Sequence, residues 1–267
     1  MIEFEKLRVV IGYEFLKHIR RRRLYVILAL TLFTEVAVLI LLPALQGGYP
    51  DNVMAMAAIL TVGPALAAIG AVFFSGDAIA GEFESKTGYI LFTNPVKRTT
   101  LVIGKYISST AAVTLLITFG YSIVAISLLS IYGSIPIETL ESYGMALLYG
   151  GSVISITFFF SALSKGGMGA TVITLVFLMV ISPIVDTVLM LTDTPHWFML
   201  STAGDSIATV YGGYELFIEG FVPLEHIDRL PFELENPDTS LTSLAMAIYL
   251  VTGFIFSIIF GNRRQLV

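Results

Sequence analysis

The sequence predicts an all-α membrane protein in which an amphipathic N-terminal helix precedes six transmembrane helices. Three observations carry this reading. Six apolar stretches, at residues 24–45, 53–74, 106–131, 143–163, 170–191 and 241–260, each approach the ~20 residues a helix needs to cross ~30 Å of hydrocarbon. In that solvent every backbone N–H and C=O must be satisfied within its own segment, so stretches of this length are helices rather than strands. Of the 15 Lys and Arg residues, all but Arg229 lie before the first stretch, in the even-numbered connections or after the last. The positive-inside bias then places both termini in the cytosol.

Composition agrees: 56% of residues are hydrophobic and 13% charged, with a mean hydropathy of +0.86. The net charge of -5 averages two unlike faces. Asp51, Glu138, Glu141, Asp193 and the acids between 205 and 238 crowd the outer side, while the basic inner collar suits anionic lipid headgroups rather than nucleic acid. Having no cysteine, the chain forms no disulfide, thiolate metal site or thiol nucleophile. The first apolar stretch is too long for a signal-peptide core and reads as a retained helix.

Along residues 1–23, Phe4, Leu7, Ile11, Phe15 and Ile19 recur at spacings of three and four, with charges on the other faces. Held by Arg20, Arg21, Arg22 and Arg23, this segment is expected to lie as an elbow in the inner headgroups; the alternative is a short helix docked on protein. In span one, Glu35 lies eleven residues after Leu24, about 16 Å into the bilayer, with Thr31 one turn earlier on the same face as a hydrogen-bond partner. It is either a residue of a translocation path or a neutral, hydrogen-bonded acid at a helix interface. Gly63-Pro64 predicts a kink in span two. Thr110, Thr114, Thr118 and Ser122 form a polar ridge on span three, of the kind that packs helices together. Residues 164–169 read as a tight inner turn, and Asp186 as a solvated acid near the outer end of span five. The connection at 192–240 holds nine acids against one Arg, with short helices expected at 206–211 and 214–219. On span six, Gly253, Ser257 and Gly261 give small-residue spacing for a close helix contact. No internal repeat relates the two halves.

The inner connection at 75–105 is the most informative segment. Glu82 and Glu84 are followed by Thr87-Gly88, an apolar turn from Tyr89 to Phe92, then Asn94-Pro95-Val96-Lys97-Arg98 and Lys105-Tyr106. This order resembles the first intracellular loop of ABC-2 type permeases. The likeness extends to the basic N-terminal segment, the six-span plan and the long connection between spans five and six; the Thr87-Gly88 order departs from the Gly-Thr found in many members. The resemblance implies one transmembrane permease domain over 1–267, with an ABC-2, type V exporter-like fold. It also implies a multi-pass location in the plasma membrane, a second permease copy and two copies of a separate cytosolic ABC ATPase that binds ATP and Mg. The loop is then a coupling helix seated on the ATPase, with Glu82, Glu84, Thr87, Gly88, Tyr89, Phe92, Pro95, Lys97 and Arg98 at the contact. The residue types suit that task, because an apolar centre with a charged rim is the composition of a docking surface.

Other chemistry finds little support. A phosphate-binding loop needs Gly-x-x-x-x-Gly-Lys-Ser/Thr; in Ser164-Lys165-Gly166-Gly167-Met168-Gly169 the Lys precedes the glycines and no strand leads into it. Glu225, His226 and Asp228, or His196 with Asp193, lack metal-ligand spacing, so neither a metal nor a directly bound cofactor is expected. Two further functions compete with export. One is mechanical transmission of ATPase motion to an extracytoplasmic maturation partner; the other is ion-coupled secondary transport, which calls for inverted repeats and several midplane charges.

Overall fold

The computed structural model describes residues 3–84, 96–219 and 236–263, and among these every regular element is helical. In order they are α1 (Glu3–Arg20), α2 (Arg22–Gln46), α3 (Val53–Leu60), α4 (Val62–Ser75), α5 (Ala80–Glu84), α6 (Arg98–Tyr132), α7 (Glu138–Leu163), α8 (Gly167–Val176), a π-helical turn (Phe177–Ile181), α9 (Ser182–Leu191), α10 (Leu200–Thr209), α11 (Gly213–Glu219) and α12 (Thr239–Arg263). Five continuous runs are long and apolar enough to cross a membrane: Arg22–Gln46, Arg98–Tyr132, Glu138–Leu163, Gly167–Leu191 and Thr239–Arg263.

The remaining apolar stretch, 53–74, is divided between α3 and α4. At Thr61 the backbone N–H turns back to the Ala58 carbonyl at 3.2 Å, and Oγ1 donates to the same oxygen at 2.6 Å. Pro64 has no N–H to offer the carbonyl of Leu60, so the helix loses its ladder at that residue. The expected bend therefore falls upstream of the proline.

Most of the core forms one cluster around α7, which includes Phe74, Leu116, Ile117, Ile154, Phe158, Leu200 and Ile207. A smaller cluster joins Leu42, Met56, Ile59, Leu60, Val124, Leu128 and Tyr211. Helix α12 packs on α7 through its small residues, as their spacing predicts: a Cβ on Gly253 would stand 2.9 Å from the Ser155 backbone, and Ser257 is fully buried. The span-three ridge behaves differently. Thr118 and Ser122 are exposed and bond to carbonyls of their own helix; a single bond, Thr118 to the Tyr143 hydroxyl at 2.9 Å, crosses to α7. A hydroxyl that shares the carbonyl four residues earlier in its own helix is satisfied locally, which removes the drive to pack across helices.

Helix α1 keeps its apolar periodicity, with Leu7, Ile11, Phe15 and Ile19 half-buried and only Phe4 of that stripe exposed. It lies on α6 with Glu14 and His18 buried, 8% and 5% exposed, while Val9, Tyr13 and Leu16 stand outward. Close approach is set by Gly104, where an added Cβ would come within 2.5 Å of Val10. In the outer connection the short helices lie at Leu200–Thr209 and Gly213–Glu219, the first beginning six residues before its expected start.

Candidate functional site

The two ends of the bundle are chemically unlike, and at the basic one charged side chains cluster where the 75–105 connection leaves α4. The connection starts rigidly. Ser161, near the end of α7, donates Oγ to the Gly76 carbonyl at 2.8 Å and accepts the N–H groups of Ile79 and Ala80 at 3.1 and 3.0 Å. One buried hydroxyl thus closes the turn that leads into α5.

Charged side chains then fasten this turn to its neighbours. Lys105 of α6 is 5% exposed and donates to Glu14 of α1 at 2.6 Å and to Glu82 of α5 at 2.7 Å. Charge-assisted bonds of this length in a dry site are strong only while all partners are present. Arg21, in the corner between α1 and α2, meets Asp77 at 2.6 Å, and Arg23 approaches the same carboxylate at 3.5 Å. His18 sits between these groups, its ring edge-on to Phe74 at 5.3 Å and its Nε2 3.4 Å from the Ser109 hydroxyl. Burial pushes the imidazole pKa down to about 4, against the opposing pull of Glu14. It is therefore neutral near pH 7.

The last described residue before the loop apex, Glu84, turns toward span five. Its Oε2 accepts the N–H of Gly167, the first residue of α8, at 2.8 Å. Contact here is backbone-close: a Cβ on Gly167 would lie 2.7 Å from Asp77 Cβ, and one on Gly76 would overlap the Thr171 hydroxyl. Residues 164–166 form the short turn expected between spans four and five.

Of the residues expected at the ATPase contact, Glu82, Glu84, Lys97 and Arg98 are thus placed at the two roots of the loop, with Lys97 exposed ahead of α6. Thr87, Gly88, Tyr89, Phe92 and Pro95 lie outside the described residues. Glu35 is 1% exposed and Thr31 fully buried, yet neither carboxylate oxygen nor the Thr31 hydroxyl has a hydrogen-bond partner among the described residues. The local Thr31 bond is not made.

At the acidic end a cavity of about 1300 Å³ opens between α4, α7, span five and α10. Its lining is apolar at Ile69, Val72, Leu175 and Leu178 and carries Asp186, Asp193, Asp205, Trp197 and Tyr214. Glu35 is not part of its described lining. Asp186, expected to be solvated, instead accepts the hydroxyls of Ser201 at 2.7 Å and Thr202 at 2.8 Å, which ties the outer end of span five to α10. Tyr214 donates to Asp205 at 2.9 Å. Among the described residues no group of three His, Cys, Asp or Glu could hold a metal ion; Glu225, His226 and Asp228 lie outside them.

Sequence reasoning missed Glu14, His18, Asp77 and Ser161, and assigned Arg21 to the headgroups rather than to Asp77. The available signal was Glu14 and His18, two polar residues one turn apart on the face opposite the exposed apolar stripe of α1, with Lys105 at the head of an apolar run.

A multi-helical membrane bundle whose inner loop is rooted in a charged junction is the class of protein these features define. The sequence profile described as ABC-2 family transporter protein matches residues 8–262. The chain belongs to that family, and is thereby a transmembrane subunit of an ABC transporter, a role that implies partnership with an ABC ATPase subunit. No curated protein matches the sequence.

Proposed function

We propose that this chain is the permease subunit of an ATP-driven exporter and that residues 75–105 receive the motion of a separate ATPase. The basic end lies in the cytosol of the cell, with both termini, and α1 is the elbow at the inner surface of the plasma membrane. The interrupted pair α3 and α4 completes six crossings. Two ATPase subunits, carrying ATP and Mg, serve a dimer of permeases. The acidic end then faces outward, where 192–240 is available to an extracytoplasmic partner.

The observation that carries this reading is the rooting of the loop. Its first turn is bonded to α7 through Ser161, to α1 and α6 through Lys105, to the α1–α2 corner through Asp77 and to α8 through Glu84. A loop so anchored passes a displacement to the bundle, whereas a flexible one would absorb it. Thr87, Gly88, Tyr89, Phe92 and Pro95 are the residues assigned to the ATPase contact, and Lys97 and Arg98 supply its charge. Glu35 acts in the transport cycle.

The test is co-purification with the partner ATPase and stimulation of its ATP hydrolysis. Tyr89→Ala and Phe92→Ala should each weaken assembly by ~1 to 3 kcal/mol, the usual cost of losing a buried aromatic anchor. Lys97→Glu with Arg98→Glu should slow association in a salt-dependent way. Intact binding and intact coupled hydrolysis in the fourfold variant would sink the assignment.

A further inference from the structure

Span five, Gly167–Leu191, is the most loosely embedded of the long helices: among its residues only Gly167, Ala170, Thr174 and Ser182 are buried. Polar attachments hold it toward both ends. At the basic end Glu84 caps the first N–H of α8; at the acidic end Asp186 accepts the hydroxyls of Ser201 and Thr202, and Ser182 Oγ accepts the Ser201 N–H at 3.1 Å. Between them the helix widens into the π-helical turn Phe177–Ile181, and Pro183 lies two residues beyond it. Such turns are where helices bend. Leu178 and Met179 within the turn, with Leu175 before it and Met190 after it, form one wall of the cavity.

We propose that Glu84 is a positioning residue linking the inner loop to span five, so that displacement of the loop swings the cavity wall about the π-helical turn. This extends the proposed function, resting on its claim that the loop is the driven element, and it directs the motion to span five rather than only to the two spans continuous with the loop. The physical basis is local. A carboxylate at a helix N-terminus makes a charge-assisted bond reinforced by the helix dipole. Its own helix, α5, starts at the turn closed by Ser161, and the glycine contacts Gly76 to Thr171 and Gly167 to Asp77 leave no slack between loop and span. Helices α4 and α7, forming the opposite wall, supply buried members of the main core cluster, whereas span five only rests partly buried Leu175, Phe177 and Leu178 against it.

The link can be tested in the permease alone, independently of any ATPase. Because the chain has no cysteine, Leu140→Cys with Leu191→Cys places spin labels at exposed sites on α7 and the outer end of span five. Leu129→Cys with Leu140→Cys is a reference pair between α6 and α7. Pulsed EPR would be recorded in lipid nanodiscs, with labelled chains diluted by unlabelled ones. Glu84→Ala should shift or widen the first distance distribution and leave the reference pair unchanged. Glu84→Gln, whose amide oxygen accepts the same N–H, should restore the wild-type distribution. An unchanged first pair in Glu84→Ala would overturn the proposal, and so would equal widening of both pairs, which would make Glu84 a general packing residue. Failure of the ATPase assignment would be read separately, from co-purification.

Discussion

Lys105 is the residue on which the basic end depends most. It is buried between two carboxylates from different helices, so removing it strands both. Lys105→Met is expected to cost about 3 to 5 kcal/mol, the range for breaking one side of a buried ion pair. Thermal unfolding in detergent would measure it, and adding Glu14→Gln and Glu82→Gln should recover most of the loss. His18 makes a pH-dependent contribution of known sign. Its pKa is lowered to about 4 in the folded protein, against ~6.5 when unfolded. The unfolded state therefore binds the extra proton first, and the contribution is complete above pH 6.5 and lost as pH falls toward 4. Glu14 and Asp77 face the ring and favour its charged form while Arg21 and Lys17 oppose it, so the comparison is with His18→Gln, whose unfolding curve should flatten across that window. Glu35 carries a different expectation. A fully buried carboxyl with no partner costs stability, so Glu35→Leu should stabilise the fold by ~1 to 3 kcal/mol. Glu35→Gln should slow transport at equal membrane abundance, and an unchanged rate would assign the residue to packing.

At the scale of elements, legibility follows from which signal the solvent enforces. Hydrocarbon requires long apolar helices, and five of the six predicted stretches are continuous helices whose ends extend the apolar runs by two to eight residues at the start and by up to three at the finish. The interruption at Thr61 was visible in Pro64, but its placement depends on which carbonyl loses its donor. Helix α1 was harder. Its apolar periodicity marks the packed face, on which Leu7, Ile11, Phe15 and Ile19 are half-buried, but not that Glu14 and His18 are buried there too, since the Lys105 partner of Glu14 is 91 residues away and leaves no local trace. The same limit hides the Glu84 cap. In sequence it is an acid in an acidic stretch, and only the fold brings Gly167 to it. Within the loop, the two root carboxylates are engaged inside the chain, so the apolar apex rather than its acids is expected to dominate affinity for a partner. Removing the aromatic anchors should accordingly reduce co-purification more than Glu82→Gln or Glu84→Gln does.

Across the whole molecule, charge separates the ends: arginines and lysines gather around the loop roots, and aspartates around the mouth of the outer cavity. This polarity was legible because insertion acts on Lys and Arg counts in short connections. The substrate was not, since a cavity wall assembled from α4, α7 and span five has no contiguous motif. In the proposed cycle the two ends work as one device, driven at the basic loop and opening at the acidic cavity. The driven surface is then the part of the loop around Phe92. A photo-crosslinking residue at Phe92, with another at Asn236 as the opposite-end control, tests this in intact membranes. The account predicts an ATP-responsive crosslink from position 92 to the ABC ATPase subunit and none from position 236. A crosslink to the ATPase from 236 but not from 92 would contradict it.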